Sequence, residues 1–219
     1  MYKVISFGLW GTDKKYLKGA LENLRLQKIY YKDFVCRFYV GDDVPQDIVD
    51  SLKSKGCEIV PMGTPGKTKR YWRLNVIKDS TVDKFIIRDC DSRIGKKEHE
   101  AVREWEKSGK LAHIMRDHKR HTAPIMGGMW GMKRDDLVRD LIKDKLDVWI
   151  EKVSNGYKPT PRVGKADGDQ MFLRQEVWPL VKERCIKHGR GGVAFPFAGD
   201  PIHFVGQIYN DTNKPQVKP

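Results

Sequence analysis

Apolar positions along the first half of this chain fall into a strand period, then a helix period, and the cycle repeats. Residues 2–9 carry Val4, Ile5 and Phe7 in a short apolar run that stops at Gly8 and Gly11. Residues 16–26 place Leu17, Ala20, Leu21 and Leu24 on one face of a helix. Residues 34–40 read as a second strand, closed by Gly41-Asp42-Asp43. A second helix follows over 44–55, with Ile48, Val49 and Leu52 apolar, and a short third strand at 57–60 ends at Pro61. This alternation predicts parallel βαβ units, and doubly wound sheets of that kind bind nucleotides at their strand ends.

After a loop at 63–66, a basic helix over 67–78 leads to a fourth strand at 84–87. A helix over 96–107 turns Ala101, Val102 and Trp105 inward, and strands are expected at 111–115 and 126–132. Asp135 opens the clearest helix, in which Leu137, Val138, Leu141, Ile142, Trp149 and Val153 recur at helical spacing. Residues 154–168, rich in Gly, Pro and Lys, read as a mobile loop or lid, and 169–177 as a further helix. Gly189-Arg190-Gly191-Gly192 reads as a flexible break, 202–208 as a last strand, and 210–219 as a frayed polar tail. Regular alternation lapses after Asp91, so the second half should build something other than a plain nucleotide fold.

The 219 residues suit one domain: a nucleotide-binding half over about 1–93, a second half over about 94–209 to hold whatever the nucleotide carries and its acceptor, and the tail. Net charge is +13, which calls for an anionic partner. The basic residues are interspersed with acidic ones and no nucleic-acid-binding motif is present, so nucleic acid is not the expected partner. Cys36, Cys57, Cys90 and Cys185 are scattered and form no Cys-x-x-Cys pair, so a zinc site is not expected; Cys36 and Cys90 fall in strand-like runs as small hydrophobes, and a reduced, intracellular setting is the expectation. Met1 leads directly into a strand without a signal peptide, and no apolar run is long enough to span a bilayer. A soluble cytoplasmic protein is the expectation.

The chemistry concentrates at the end of the fourth strand, in Ile87-Arg88-Asp89-Cys90-Asp91-Ser92-Arg93. Asp89 and Asp91 would lie on the same side of an extended backbone. Two crowded carboxylates are costly unless a cation compensates them, and oxygen ligands suit Mg²⁺ or Mn²⁺. Such an ion can bridge the diphosphate of a sugar-nucleotide and stabilise the leaving group. Arg70, Arg73, Arg88 and Arg93 flank the pair and are placed to clamp phosphates. An Asp-x-Asp phosphatase carries its pair after the first strand, followed by Thr or Val where this chain has Arg93. A sugar nucleotidyltransferase needs a Gly-rich signature that Phe7-Gly8-Leu9-Trp10-Gly11-Thr12 does not supply. A protein that binds a sugar nucleotide or a nucleic acid without transferring anything is the remaining alternative.

The chain resembles DXD glycosyltransferases of the GT-A fold, a family found in bacteria and in large algal viruses. The resemblance rests on the Asp89–Asp91 segment, His113-Ile114-Met115-Arg116-Asp117-His118, Pro124-Ile125-Met126-Gly127-Gly128-Met129-Trp130-Gly131, Gly168-Asp169-Gln170-Met171-Phe172-Leu173 and Phe204-Val205-Gly206-Gln207. It covers most of the chain from about Lys67 onward. It implies an α/β GT-A domain with a mixed central sheet flanked by helices. It also implies a metal-dependent transfer from a nucleotide-sugar donor, expected to be a UDP-sugar, to a carbohydrate hydroxyl of a glycan acceptor. Asp89 and Asp91 would form the metal motif. His203, with Gly206, is similar to the closing metal-ligand motif of some retaining members, although Lys214-Pro215 does not keep the usual spacing. Asp169, and after it Asp117, are the implied candidates for the base if the enzyme inverts. Arg116, His118 and His121 would meet a phosphate or sugar hydroxyls. Gly8, Leu9, Trp10 and Gly11 resemble the base and ribose cradle. Tyr16 would stack on uracil or pack its helix. Gly127, Gly128 and Gly131 let a ligand approach closely, and Trp130 is either a sugar platform or core.

Overall fold

Strand β1 (Lys3–Leu9) buries both of its faces, as a central parallel strand must. Val4 joins the apolar core on one side of the sheet, and Ile5, Phe7 and Leu9 join the core on the other. The computed structural model describes residues 1–158, 168–189 and 204–216. In it β1 pairs in parallel with β2 (Val35–Gly41) and with β4 (Lys84–Ile87), and β2 pairs in parallel with β3 (Glu58–Gly63). Strand β6 (Trp130–Lys133) runs antiparallel between β4 and β5 (Ala112–Arg116), and β7 (Cys185–Gly189) adds in parallel to β5. The described sheet therefore has seven strands in the order β3-β2-β1-β4-β6-β5-β7. Six of them point the same way. The strand order reverses between β1 and β4, which is where an open α/β sheet binds its ligand.

Helices α1 (Lys14–Tyr30), α2 (Gln46–Ser54) and α3 (Lys96–Lys107) cover one face through Leu17, Leu24, Leu52, Val102 and Trp105. Asp13 caps α1, its side chain accepting from the Lys15 amide at 3.0 Å. The other face is covered by a 3₁₀ helix (Lys69–Lys78), by α4 (Asp136–Ser154) and by α5 (Asp169–Phe172). A π turn (Leu173–Val177) joins α5 to α6 (Trp178–Val181). A 3₁₀ helix this long needs outside support. Buried Arg139 of α4 supplies it by donating to the carbonyls of Val76 at 3.0 Å, Ile77 at 3.2 Å and Asp79 at 2.9 Å, and to that of Val82. Ser6 of β1 supports the same helix by donating its hydroxyl to the Arg73 carbonyl at 2.6 Å.

The second half departs from the sequence expectation in four places before the tail. The small-residue stretch forms a strand only over β6, because Met126 to Met129 make a turn closed by the Met129 amide on the Met126 carbonyl at 3.1 Å. Strand β7 was not anticipated, since Lys187 and His188 break its apolar pattern; His188 is buried against His113 at 3.0 Å and Glu104 at 2.7 Å. On α4, Val138, Ile142 and Leu146 face the core, whereas Leu137 and Leu141 are exposed. The strand expected over 202–208 is not formed in its described part, 204–208, which turns instead.

The tail is not frayed over its described part. The Tyr209 amide donates to the Asp91 carbonyl at 2.8 Å and the Gln216 amide to the Ile208 carbonyl at 2.7 Å. Arg93 donates to Asn213 Oδ1 at 2.7 Å and lies over the Tyr209 ring at 4.9 Å. Arg93 thus ties the tail to the carboxylate loop instead of clamping phosphate. The expected loop or lid at 154–168 and the break at 189–192 fall largely outside the described residues. No described helix is long and apolar enough to cross a membrane.

Candidate active site

All the strands except β6 deliver their carboxyl ends to one edge of the sheet, and an open cleft of about 770 Å³ lies there. Asp89 and Asp91 both line it, just beyond the end of β4. They reach it through a tight turn, not along a straight strand: the Ser92 amide and hydroxyl both donate to the Asp89 carbonyl, at 3.3 and 3.0 Å. Helix α1 braces this turn. Asn23 donates to the Ser92 carbonyl at 2.9 Å and accepts from the Ile94 amide at 2.9 Å. Gly19 lies so close that a Cβ there would stand 1.9 Å from the Cys90 carbonyl oxygen.

Arg73, on the 3₁₀ helix, faces the pair. Its guanidinium forks, with Nη1 on Asp89 Oδ1 and Nη2 on Asp169 Oδ2. Burial works against the Arg73 charge, but Asp89 and Asp169 outweigh it and hold the group more firmly protonated than usual. Asp169 opens α5 and is nearly buried. Among the described residues the Asp91 carboxylate has no such partner, and burial together with the like charge of Asp89 pushes its carboxyl up to about 6, against Lys15 and Arg73.

Gly127 and Gly128 pack directly on this network. A Cβ on Gly128 would lie 2.0 Å from Asp89 Oδ2, and one on Gly127 would lie 2.7 Å from Arg73 Nη2 and 2.8 Å from Asp169 Oδ2. The glycines therefore make room for protein carboxylates as well as for a ligand. Gly128→Ala should leave the fold intact and displace Asp89, lowering kcat/KM by about 10²-fold. A circular dichroism spectrum and nucleotide-release kinetics check this together; wild-type turnover in the variant would refute it.

The cleft also gathers other residues expected from the sequence: Trp10, Tyr16, Arg70, His118 and His121. Trp10 meets Trp72 edge-on at 6.0 Å and carries Lys69 over its ring at 5.7 Å. Other expected residues lie elsewhere. Leu9 is buried in the apolar core, and Gly8 sits within β1, its carbonyl accepting from the Cys90 thiol at 3.4 Å. Arg88 points to the α3 side of the sheet, away from Arg73, fully buried, with Nε on Glu98 at 3.0 Å. It is a core ion pair and no phosphate clamp. Asp117 is buried as well, paired with Lys97 at 2.6 Å and accepting from the Val205 amide at 3.0 Å. It anchors the segment at 204–206 beneath the cleft and does not line it. Trp130 is core, edge-on to Phe85 at 5.4 Å. His203 lies outside the described residues.

Sequence reasoning missed Lys69, Gln170, Phe204 and Gln216, which all line the cleft. Lys69 and Gln170 are immediate neighbours of Arg70 and Asp169, and that adjacency was the available signal. Phe204 stacks on His118 at 4.4 Å, and Gln216 arrives only because the tail folds back. Phe204 opens one of the segments that carry the resemblance, but nothing local announces its stacking partner or the return of Gln216.

Among the described residues no three His, Cys, Asp or Glu side chains form a ready-made metal site. Asp89 and Asp91 nonetheless offer hard oxygen ligands on one cleft wall. Mg²⁺-like ions are commonly held by one or two carboxylates plus water and substrate phosphate oxygens. This donor set fits such an ion.

No family model matches the chain, and no curated protein matches it. Solved structures do. A glycosyltransferase involved in the glycosylation of the major capsid of PBCV-1 superposes with a TM-score of 0.53 at 16% identity, over 86% of this chain and 82% of its own. The glycosyltransferase GlyE of Streptococcus pneumoniae TIGR4 gives a TM-score of 0.55 at 14% identity, over 85% of this chain. The chain has the GT-A fold. The mannosyltransferase PcManGT from Pyrobaculum calidifontis, in complex with GDP-Man and Mn²⁺, also matches, with a TM-score of 0.51 at 12% identity, over 85% of this chain and 54% of its own. This chain spans only 45% of the GlyE chain. Identities this low establish the GT-A architecture and leave the chemistry to be argued from the cleft.

Proposed function

We propose that this GT-A domain is a glycosyltransferase that moves a sugar from a nucleotide-sugar, most simply a UDP-sugar, to a carbohydrate hydroxyl. The observation that carries the reading is the meeting of Asp89, Asp91, Arg73 and Asp169 in one cleft at the strand-order reversal of the sheet. Asp89 and Asp91 would hold Mn²⁺ or Mg²⁺. When bound, the ion neutralises charge that builds on the departing diphosphate. Lys69, Arg70 and Arg73, at the start of the 3₁₀ helix, face the same space and suit phosphate oxygens. Trp10 and Tyr16, on either side of the β1–α1 turn, offer flat faces to the base.

Asp169 is the acidic group set deepest in the cleft wall. Its sharing of Arg73 with Asp89 supports a role beside the reacting sugar, where it would orient the sugar hydroxyls or, in an inverting reaction, take the acceptor proton. His118, Arg120 and His121 form the polar rim on the β5 side, suited to an acceptor glycan. The complexes of PcManGT with GDP-Man and Mn²⁺ support a nucleotide-sugar and a divalent ion for this architecture.

A donor panel tests the reading. The protein is mixed with UDP- and GDP-sugars and Mn²⁺, and release of the nucleoside diphosphate is measured. Release from at least one donor, dependent on the ion, is expected. Absence of both release and ion-dependent nucleotide binding across the panel would refute it.

A further inference from the structure

Arg73 stands where a cation is wanted. Its two terminal nitrogens are engaged by Asp89 and Asp169, and its Nε is buried without a hydrogen-bond partner. The residue is held from behind by Ser6 on its carbonyl at 2.6 Å, and Gly127 closes over Nη2. The Asp89 side chain is partly exposed to the cleft, at 44%, while Asp169 is only 8% exposed. A divalent ion entering the cleft would therefore meet Asp89 first, and would find it already neutralised. A carboxylate that accepts from a guanidinium has one lone pair engaged and its charge offset, so it attracts a further cation less.

We propose that Arg73 is a built-in counter-ion that competes with the divalent metal for Asp89, so that the metal binds tightly only together with a nucleoside diphosphate. The inference rests on the glycosyltransferase reading of the cleft. Phosphate oxygens match the guanidinium fork as well as a carboxylate does. An arriving diphosphate draws Arg73 off Asp89 and takes its donors, while Asp169 retains the other edge. Asp89 then joins Asp91 on the ion. In the empty cleft the same arginine keeps three neighbouring carboxylates compatible with a folded wall, which is a stabilising role as well as a gating one. The coupling is reciprocal: whatever the diphosphate adds to metal affinity, the metal adds to diphosphate affinity.

The test is a Mn²⁺ titration read by the electron paramagnetic resonance signal of the free ion, on the full chain, with and without UDP. Wild type, Arg73→Lys and Arg73→Gln are compared, with thermal unfolding to confirm that each is folded. Arg73→Gln should bind Mn²⁺ alone about tenfold or more tighter than wild type, because a neutral side chain no longer competes. Arg73→Lys, a cation that cannot span both carboxylates, should fall between, about threefold tighter than wild type. UDP should raise Mn²⁺ affinity by a smaller factor in Arg73→Gln than in wild type. Equal or weaker binding of Mn²⁺ alone by folded Arg73→Gln, with UDP-dependent Mn²⁺ binding by wild type intact, overturns the counter-ion role and spares the functional reading. If Arg73→Gln does not fold, Arg73→Lys decides: no gain over wild type overturns the role. Failure of every protein to bind Mn²⁺, with or without UDP, overturns the functional reading and the counter-ion role together.

Discussion

Asp91→Asn should yield a protein that is more stable than wild type near neutral pH and almost inactive. Both effects have one cause. Asp91 is pushed up to about 6 by burial and by the like charge of Asp89, so its ionised form is disfavoured in the folded chain. Asparagine keeps the shape and removes the charge. At pH 7 the gain should be on the order of 1–3 kcal/mol, a rise of a few degrees in Tm. The Asp91 carbonyl still accepts from the Tyr209 amide, so the turn and the tail should stay in place. The same change deletes one of the two oxygen anions proposed to hold the metal, and kcat/KM should drop by about 10²–10³-fold or more. Differential scanning calorimetry and nucleotide-release kinetics on one preparation measure the two effects. A variant that is both less stable and fully active would contradict the proposed role. Groups held at an electrostatic disadvantage in a cleft are characteristic of sites that await a ligand.

The stabilisation conferred by Mn²⁺ with UDP should be present at pH 8 and fade below about pH 6. In the ligand-free protein Asp91 binds its proton more tightly folded than unfolded, between the ordinary carboxylate value of 3.8 and about 6. Its contribution to stability is thus complete below the unfolded value and is lost as pH rises through the folded one. The ligand-bound protein has the opposite dependence from this group, because the ion needs Asp91 ionised. Below pH 6 the apparent metal affinity should fall about tenfold per pH unit, the signature of one proton exchanged for the ion. Thermal shifts at fixed Mn²⁺ and UDP from pH 5 to 8 test this. A shift that is flat across that range would mean that Asp91 is not a ligand. In Asp91→Asn any residual shift should keep only the weaker pH dependence that protonation of the UDP terminal phosphate supplies in this window.

Much of the fold follows from local pattern. Val4, Ile5 and Phe7, the helix face of Leu17, Ala20 and Leu24, and the short second strand repeat a period that only a parallel βαβ arrangement can bury. Asp89 and Asp91 were visible because the apolar strand of Phe85 to Ile87 ends abruptly in charge, and parallel strands end at the ligand edge. Gly127-Gly128 and Asp169 were visible as short motifs. What the sequence could not settle is which way each neighbour points and whom it meets. Arg70, Arg73, Arg88 and Arg93 looked equivalent along the chain. The structure gives Arg73 to the carboxylates, Arg88 to Glu98 on the far face and Arg93 to the tail, and leaves Arg70 in the cleft. Asp117 resembled Asp169 until Lys97 and the Val205 amide met at its Oδ2.

The division has a physical reason. Hydrophobic periodicity reports backbone geometry over a few residues, so strands, helices and their abrupt ends can be read locally. Charge pairing depends on contacts that close loops of 16 residues for Arg73 with Asp89 and 96 for Arg73 with Asp169, and no local period encodes them. The sequence by itself determined that two carboxylates stand at the mouth of a nucleotide-type sheet. Only the tertiary structure decided that an arginine already holds one of them, because that contact exists only once β1, the 3₁₀ helix, β4 and α5 have packed together.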